Sequence, residues 1–244
     1  AATLDELYPG RVVLCLGVGA PGDLAAAGIE RPRPLATLRE AIIICRKLFS
    51  GNTADHDGDV FRITGRRLVN APRDIPIVLA ASGPKMLGLA GSDADGVIIS
   101  GATSAPFVRW CLDQVDLGAQ GRKVRNYGIV YTHIDDDAQA AGDPLRRTLG
   151  FILRGGHHAE NVRMGGAALD QEALRIAYAE ERWDEIDRLV SNDVTAAHAA
   201  CGTADHVRQR LVDYQAAGLD QVIVSGIADP AEIAAVLNAI NAKS

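Results

Sequence analysis

The sequence predicts a parallel α/β fold, and three observations predict it. Strand-like apolar runs alternate with amphipathic helical segments along most of the chain. The runs are apolar on both pleat faces, as strands covered by helices on each side are. Four of them end in glycine or other small residues, where α/β proteins admit ligands at the C-terminal ends of their strands.

Arg11–Val18 (RVVLCLGV) is a continuous β-branched run bounded by glycine and predicts a strand buried on both faces. Leu35–Phe49 has helical spacing with its charges on one side, and Ser50-Gly51 ends it. Gly51–Arg66, which contains the acidic DHDGD and His56, reads as a short surface excursion. It lacks the ligand ladder and terminal glutamate of a calcium loop. Ile75–Ala80 is the second strand, Pro84–Ala90 a short helix and Gly96–Ser100 the third strand. Ala105–Leu117 is helical and Tyr127–His133 is the fourth strand. A long helical stretch follows over Asp136–Ala200. Thr203 caps the next helix, His206–Ala216. Gln221–Ser225 is the fifth strand, and the helix Pro230–Asn241 closes the chain. Strand and helix repeating in this way give a parallel sheet with right-handed crossovers, either an open doubly wound sheet or a (β/α)8 barrel.

Composition removes several functions. The 244 residues are 48% hydrophobic and 23% charged, ordinary for a globular chain that forms one barrel or two small domains. A net charge of −6 with no basic run leaves no nucleic-acid footprint. No apolar stretch approaches the roughly 20 residues of a membrane span. The polar opening Ala1–Gly10 is unlike a signal peptide. Cys15, Cys45, Cys111 and Cys201 stand far apart and form no CxxC pair. They are expected as reduced, mostly buried thiols of a cytoplasmic protein, with no metal site.

The strand ends carry the chemistry. Ala80-Ala81-Ser82-Gly83 ends the second strand with side chains small enough for a ligand to approach the backbone. Pro84 suits the first turn of a helix whose N-terminal amides attract anions, and Lys85 adds charge; a tight turn with a solvated lysine is the alternative. Gly17-Val18-Gly19-Ala20-Pro21-Gly22 follows the first strand. It is not a Walker loop, since no Gly-Lys-Ser/Thr follows. Nor does it suit a dinucleotide turn, because Pro21 and Pro32-Arg33-Pro34 interrupt the helix that should start there. Ser100-Gly101 and Ser225-Gly226 end two further strands. Four such ends together favour an extended cofactor across the strand ends.

The segments LDELYPGRVVLCLGVGAPGD, RPLATLREAIIICRKLFSG, IPIVLAASGPKMLGLAGSDADGVIIS and CGTADHVRQRLVDYQAAGLDQVIVSG resemble, in order, the bacterial-luciferase-like superfamily. Within it they are most similar to the branch that uses the deazaflavin coenzyme F420, typified by methylenetetrahydromethanopterin reductase. The resemblance implies a single (β/α)8 barrel domain over 1–244, with a helical insertion over 136–200 before the last strand. The first three β/α units of that barrel, with their ring-edge contacts, have no counterpart in this chain. It implies coenzyme F420, or alternatively FMN, bound at the C-terminal face. Gly17 and Gly19 would border the ring, and Ala81, Ser82, Gly83, Lys85, Ser100 and Gly101 would hold the phosphate-bearing side chain.

The implied reaction is hydride transfer between the deazaflavin and a small organic substrate, such as a methylene-tetrahydropterin or folate. An FMN-dependent monooxygenase and a non-catalytic flavin-binding relative are the alternatives. The cofactor carries the hydride chemistry, so no catalytic triad is required. Ala20 stands where some relatives place a glutamate, and no catalytic acid is assigned. His133, at the end of the fourth strand, and His157 are candidate substrate contacts. His157 and His158 also suit a solvated loop, and His206 is expected to face solvent. A homodimer or higher homo-oligomer is expected, because the apolar side of an incomplete barrel tolerates water poorly.

Overall fold

A computed structural model describes residues 1–30, 32–137 and 139–241. They form two compact units, Ala1–Ile98 with Asp113–Arg125, and Ile99–Leu112 with Asn126–Ser244.

The first unit opens with helix α1 (Ala2–Leu7), strand β1 (Leu14–Leu16), helix α2 (Pro21–Ala26) and helix α3 (Pro34–Phe49). A hairpin of β2 (Ala54–Asp57) and β3 (Arg62–Arg66) precedes β4 (Ile77–Ala81), helix α4 (Pro84–Asp93) and β5 (Gly96–Ile99). β1 pairs with β4 in parallel, Leu14 opposite Ile77 and Leu16 opposite Leu79, and β5 lies on the other side of β4. Asp95 ties the start of this layer. Its carboxylate accepts the Ile77 amide at 2.8 Å and the Arg46 guanidinium at 2.9 Å.

Three expectations change here. β1 is shorter than the apolar run and is covered on one face only, with Cys15 exposed and Val13 44% exposed. β4 is its one strand partner among the described residues, so β1 lies at an edge of the sheet. Pro21 does not abolish a helix but starts the six-residue α2, as proline at a first turn can. The segment from Gly51 to Arg66 is not a plain surface excursion, because its antiparallel hairpin runs back along α3. Lys47 Nζ donates to the Asp55 carbonyl at 2.8 Å near the foot of that helix, and Glu40, two turns nearer its start, binds the hairpin turn.

The second unit holds β6 (Arg125–Ile134), which continues from the first. Helix α5 (Ala105–Ala119) is divided between the two units. After β6 come helices α6 (Asp143–Leu153), α7 (Ala159–Gly165), α8 (Gln171–Ala179), α9 (Trp183–Leu189) and α10 (Asn192–His198), with a 3-10 turn at Gly156–His158. They occupy the predicted helical stretch, of which Ala138 lies outside the described residues. Leu145, Leu149, Leu153, Leu174, Ile186 and Val190 form their common core, each 2% exposed or less. Burial of each such side chain contributes about 1.5–3 kcal/mol.

The stretch ends earlier than the sequence indicates. Ala200–Gly202 is a sixth strand, β7, parallel to the end of β6, with Thr132 opposite Ala200 and Ile134 opposite Gly202. Helix α11 (Ala204–Ala216) follows, and Thr203 caps it by accepting the His206 amide. β8 (Gln221–Ser225) pairs in parallel with β6, Tyr127 opposite Gln221, and α12 (Pro230–Asn241) closes the chain. Among the described residues no helix is long and apolar enough to cross a membrane.

Candidate functional site

In the first unit the ends of β1 and β4 lie side by side. A Cβ built at Gly17 would stand 3.4 Å from that of Ala80, so the two strands approach closely where they stop. Ala81, the last residue of β4, is buried and Ser82 is half-buried, while Gly83, Pro84 and Lys85 are exposed. Gly83 is the N-cap of the ten-residue α4, with φ −93° and ψ 147°, and offers no side-chain acceptor. Pro84 occupies the first helical position, as expected. A Cβ added at Gly83 would meet nothing within 4 Å. Folding therefore does not require glycine at this position, and the open backbone beside a helix N-terminus fits an anionic group such as a phosphate.

A cavity of about 510 Å³ opens at the end of β1. Its walls include Gly17, Val18, Leu24, Ile29, Val60 and Phe61, and Arg33 and Asp59, which also line it, form an ion pair at 3.1 Å. Gly19, with φ +75°, packs against the Leu24 side chain. Val60 and Phe61 belong to the β2–β3 turn, which Glu40 fixes. The Glu40 carboxylate accepts the amides of Asp59 at 2.9 Å, Val60 at 3.2 Å and Phe61 at 2.8 Å, and His56 Nε2 lies 3.2 Å away. These donors, the Phe61 amide foremost, hold its pKa below the usual carboxylate range. Nothing in the sequence distinguishes Glu40 from a solvated helix residue, because its partners are backbone amides of a turn.

In the second unit Ser100 is half-buried and Gly101 buried at the end of β5. The place a side chain would take at Gly101 is filled by Tyr131, whose ring edge would stand 2.6 Å from a Cβ there. Ala102 adopts a left-handed φ of 57°. His133 is half-buried on β6, its Nδ1 3.8 Å from the Glu232 carboxylate of α12. His157 is exposed and its ring lies 4.2 Å from that of His158. His158 is not solvated, being only 4% exposed, because the 3-10 turn directs neighbouring side chains to opposite environments. All four cysteines are free, but Cys15 is exposed, and Cys45 and Cys201 are half-buried.

Burial is the foremost cause that lowers the pKa of His158, with His157 and His198 adding to it, and of His198, with Arg210 adding; each falls to about 4. Both rings are thus neutral when folded and titrate near 6.5 when unfolded. Their contribution is complete above pH 6.5 and is lost as pH falls from there through 4. Unfolding free energy is expected to drop by roughly 3–4 kcal/mol between pH 7 and pH 5. Urea unfolding at the two values measures it, and an unchanged midpoint would show that the rings do not titrate this way.

The parallel β/α units with small residues at their strand ends define a class, the parallel α/β proteins. The chain belongs to the luciferase-like monooxygenase family, whose model matches residues 1–221. It is 30% identical over 237 residues to the 5,10-methylenetetrahydromethanopterin reductase of Archaeoglobus fulgidus, covering 93% of this chain and 71% of that protein. The reductase of the same name from Methanolobus tindarius is 29% identical over 234 residues, with 93% and 72% covered. The solved structure of the coenzyme F420-dependent tetrahydromethanopterin reductase from Methanopyrus kandleri superposes with a TM-score of 0.83 at 23% identity, over 98% of this chain and 75% of that one.

Proposed function

We propose that this protein is a coenzyme F420-dependent oxidoreductase that moves a hydride between the deazaflavin and a small organic substrate of the methylene-tetrahydropterin class. The carrying observation is the loop after β4, where Gly83 is exposed, unobstructed and at the N-terminus of α4, with Lys85 exposed beside it. The likeness to two methylenetetrahydromethanopterin reductases over most of the chain, and the shared fold of the coenzyme F420-dependent tetrahydromethanopterin reductase, support the choice of cofactor. Bound deazaflavin supplies the hydride chemistry.

The chain's residues bind and orient. Ala81, Ser82, Gly83 and Lys85 take the phosphate-bearing side chain of the cofactor, and Ser100 and Gly101 supply a second strand-end loop. Gly17 lines the cavity beside β1 and Gly19 packs against Leu24 in its wall, and there the ring and the substrate's flat heterocycle find apolar walls and Arg33 and Asp59 for polar substituents. His133 and His157 are candidate substrate contacts.

The test is oxidation of reduced F420 on addition of 5,10-methylenetetrahydromethanopterin, followed by the return of the deazaflavin absorbance. Turnover that requires the protein supports the proposal, and none with either pterin or folate substrates contradicts it. Lys85→Ala is expected to weaken F420 binding by about 1 kcal/mol, since an exposed ammonium is well screened. A fluorescence titration checks this, and the deficit should shrink in high salt. The exposed apolar side chains Leu4, Leu7, Tyr8 and Val13, on α1 and the segment between it and β1, support a homo-oligomer. Light scattering at micromolar concentration would show a multiple of the 25.8 kDa chain mass, and a clean monomer would contradict it.

A further inference from the structure

The tip of the β2–β3 hairpin holds a conformation that its own sequence does not supply. Gly58 and Phe61 flank the two-residue loop Asp59-Val60, and the Gly58 amide donates to the Phe61 carbonyl at 3.0 Å. The favoured two-residue hairpin turns need a positive φ at one or both loop residues. Neither Asp59 nor Val60 has one. Their amides and that of Phe61 turn instead to the Glu40 carboxylate of α3. Oε1 accepts from Asp59, Oε2 accepts from Phe61, and Val60 is shared between them. Glu40 is buried, and a buried carboxylate is costly unless donors of this kind compensate it. Hydrogen bonds to a charged acceptor are also the stronger kind. The space a Cβ would take at Gly58 is filled by this carboxylate and by His56 Nε2, so glycine there lets them approach.

The same tip makes a wall of the cavity at the end of β1, which lies wholly within the first unit. Asp59, Val60 and Phe61 all line it. Asp59 is tied twice to α3, its amide to Glu40 and its carboxylate to Arg33 at the start of the helix. Around the cavity Ile29, Val60 and Phe61 remain 54%, 38% and 37% exposed. Folding gains little from apolar side chains left in water. Gathered about a cavity of some 510 Å³, within the range of small-molecule sites, they form a binding wall.

We propose that Val60 and Phe61 are the wall that selects the substrate's flat heterocycle, and that Glu40 is a positioning residue that presets this wall. This rests on the function proposed above. A tip not held by Glu40 would have to be ordered at each binding event, at a cost in affinity. The effect falls on binding and not on the hydride step, because the Glu40 carboxylate is spent on the tip's own amides and His56.

Substrate affinity tests this, read as KM in turnover and by calorimetry of 5,10-methylenetetrahydromethanopterin with the cofactor-free protein. Glu40→Gln keeps the size but turns one oxygen into an NH2 that faces backbone N–H groups. It is expected to raise KM and Kd by about tenfold, with kcat and F420 affinity within about twofold. Phe61→Ala, at an exposed side chain, should fold normally and weaken the substrate by about fivefold. In the double variant the losses should fall short of their product, because both act through one wall. Ile42→Val, in the core of the same helix, should lower the melting temperature and leave KM unchanged. Fully multiplying losses, an equal loss of F420 affinity with Glu40→Gln, no loss with Phe61→Ala, or a raised KM with Ile42→Val would overturn the inference. If the parent binds the pterin without turning it over, the reaction assignment fails while calorimetry still decides the wall. A parent that does neither would overturn both.

Discussion

Gly83→Val is expected to abolish binding of coenzyme F420 and leave the protein folded. The backbone at Gly83 is extended, φ −93° and ψ 147°, a conformation valine prefers. A Cβ there meets nothing within 4 Å, so the chain loses no packing. The two branches instead occupy the space above the α4 N-terminus, the phosphate site proposed above. Loss of that contact and steric overlap together should cost about 3 kcal/mol or more, at least a hundredfold in Kd. Cofactor fluorescence measures the affinity, and circular dichroism measures the melting temperature. If Gly83→Val binds F420 as tightly as the parent, the loop is only a turn between strand and helix.

Gly118→Ala should destabilise the protein by about 3 kcal/mol or more, against the sign expected for helical glycine. Alanine is normally favoured over glycine inside a helix by about 1 kcal/mol. Here a Cβ at Gly118 of α5 would stand 2.8 Å from the Cα and carbonyl carbon of Gly88 in α4, and closer still to its oxygen. At Gly91 a Cβ would stand 2.7 Å from the Ala119 amide nitrogen. Backbone meets backbone on both sides, so no flexible side chain can yield, and the helices must separate. Chemical denaturation gives the difference directly. An unchanged or raised midpoint would mean that the two helices are farther apart than described.

Long elements with a strong pattern were legible in the sequence. Helix α3, strand β8 and helix α12 follow their predicted limits to within a residue, since each has its period, cap or breaker in its own segment. Elements made by partners were not. β7 is three residues, Ala200–Gly202, too short to show a period, and exists because β6 extends far enough to pair with it. The β2 segment Ala-Asp-His-Asp has no apolar alternation, and its hairpin is held by Glu40 from a helix earlier in the chain. The one-sided cover of β1 was hidden for the opposite reason, since its apolar run looks the same whether one face or two are packed.

The candidate site divides along the same line. Small residues at strand ends are a local signal, and of the Ala81–Lys85 segment Gly83, Pro84 and Lys85 are exposed at the start of α4. Gly101 carries the same signal, yet the room it leaves is taken by Tyr131, a contact made thirty positions away in sequence. Glu40 gave no signal at all, because it acts on the backbone of a turn that only the folded chain brings to it.

The most direct measurement is a side-by-side titration of the purified protein with coenzyme F420 and FMN, followed by cofactor fluorescence. Saturable binding of F420, with FMN at least about tenfold weaker, is the predicted result. Tighter binding of FMN, or no binding of either, would contradict the assignment of an F420-dependent oxidoreductase.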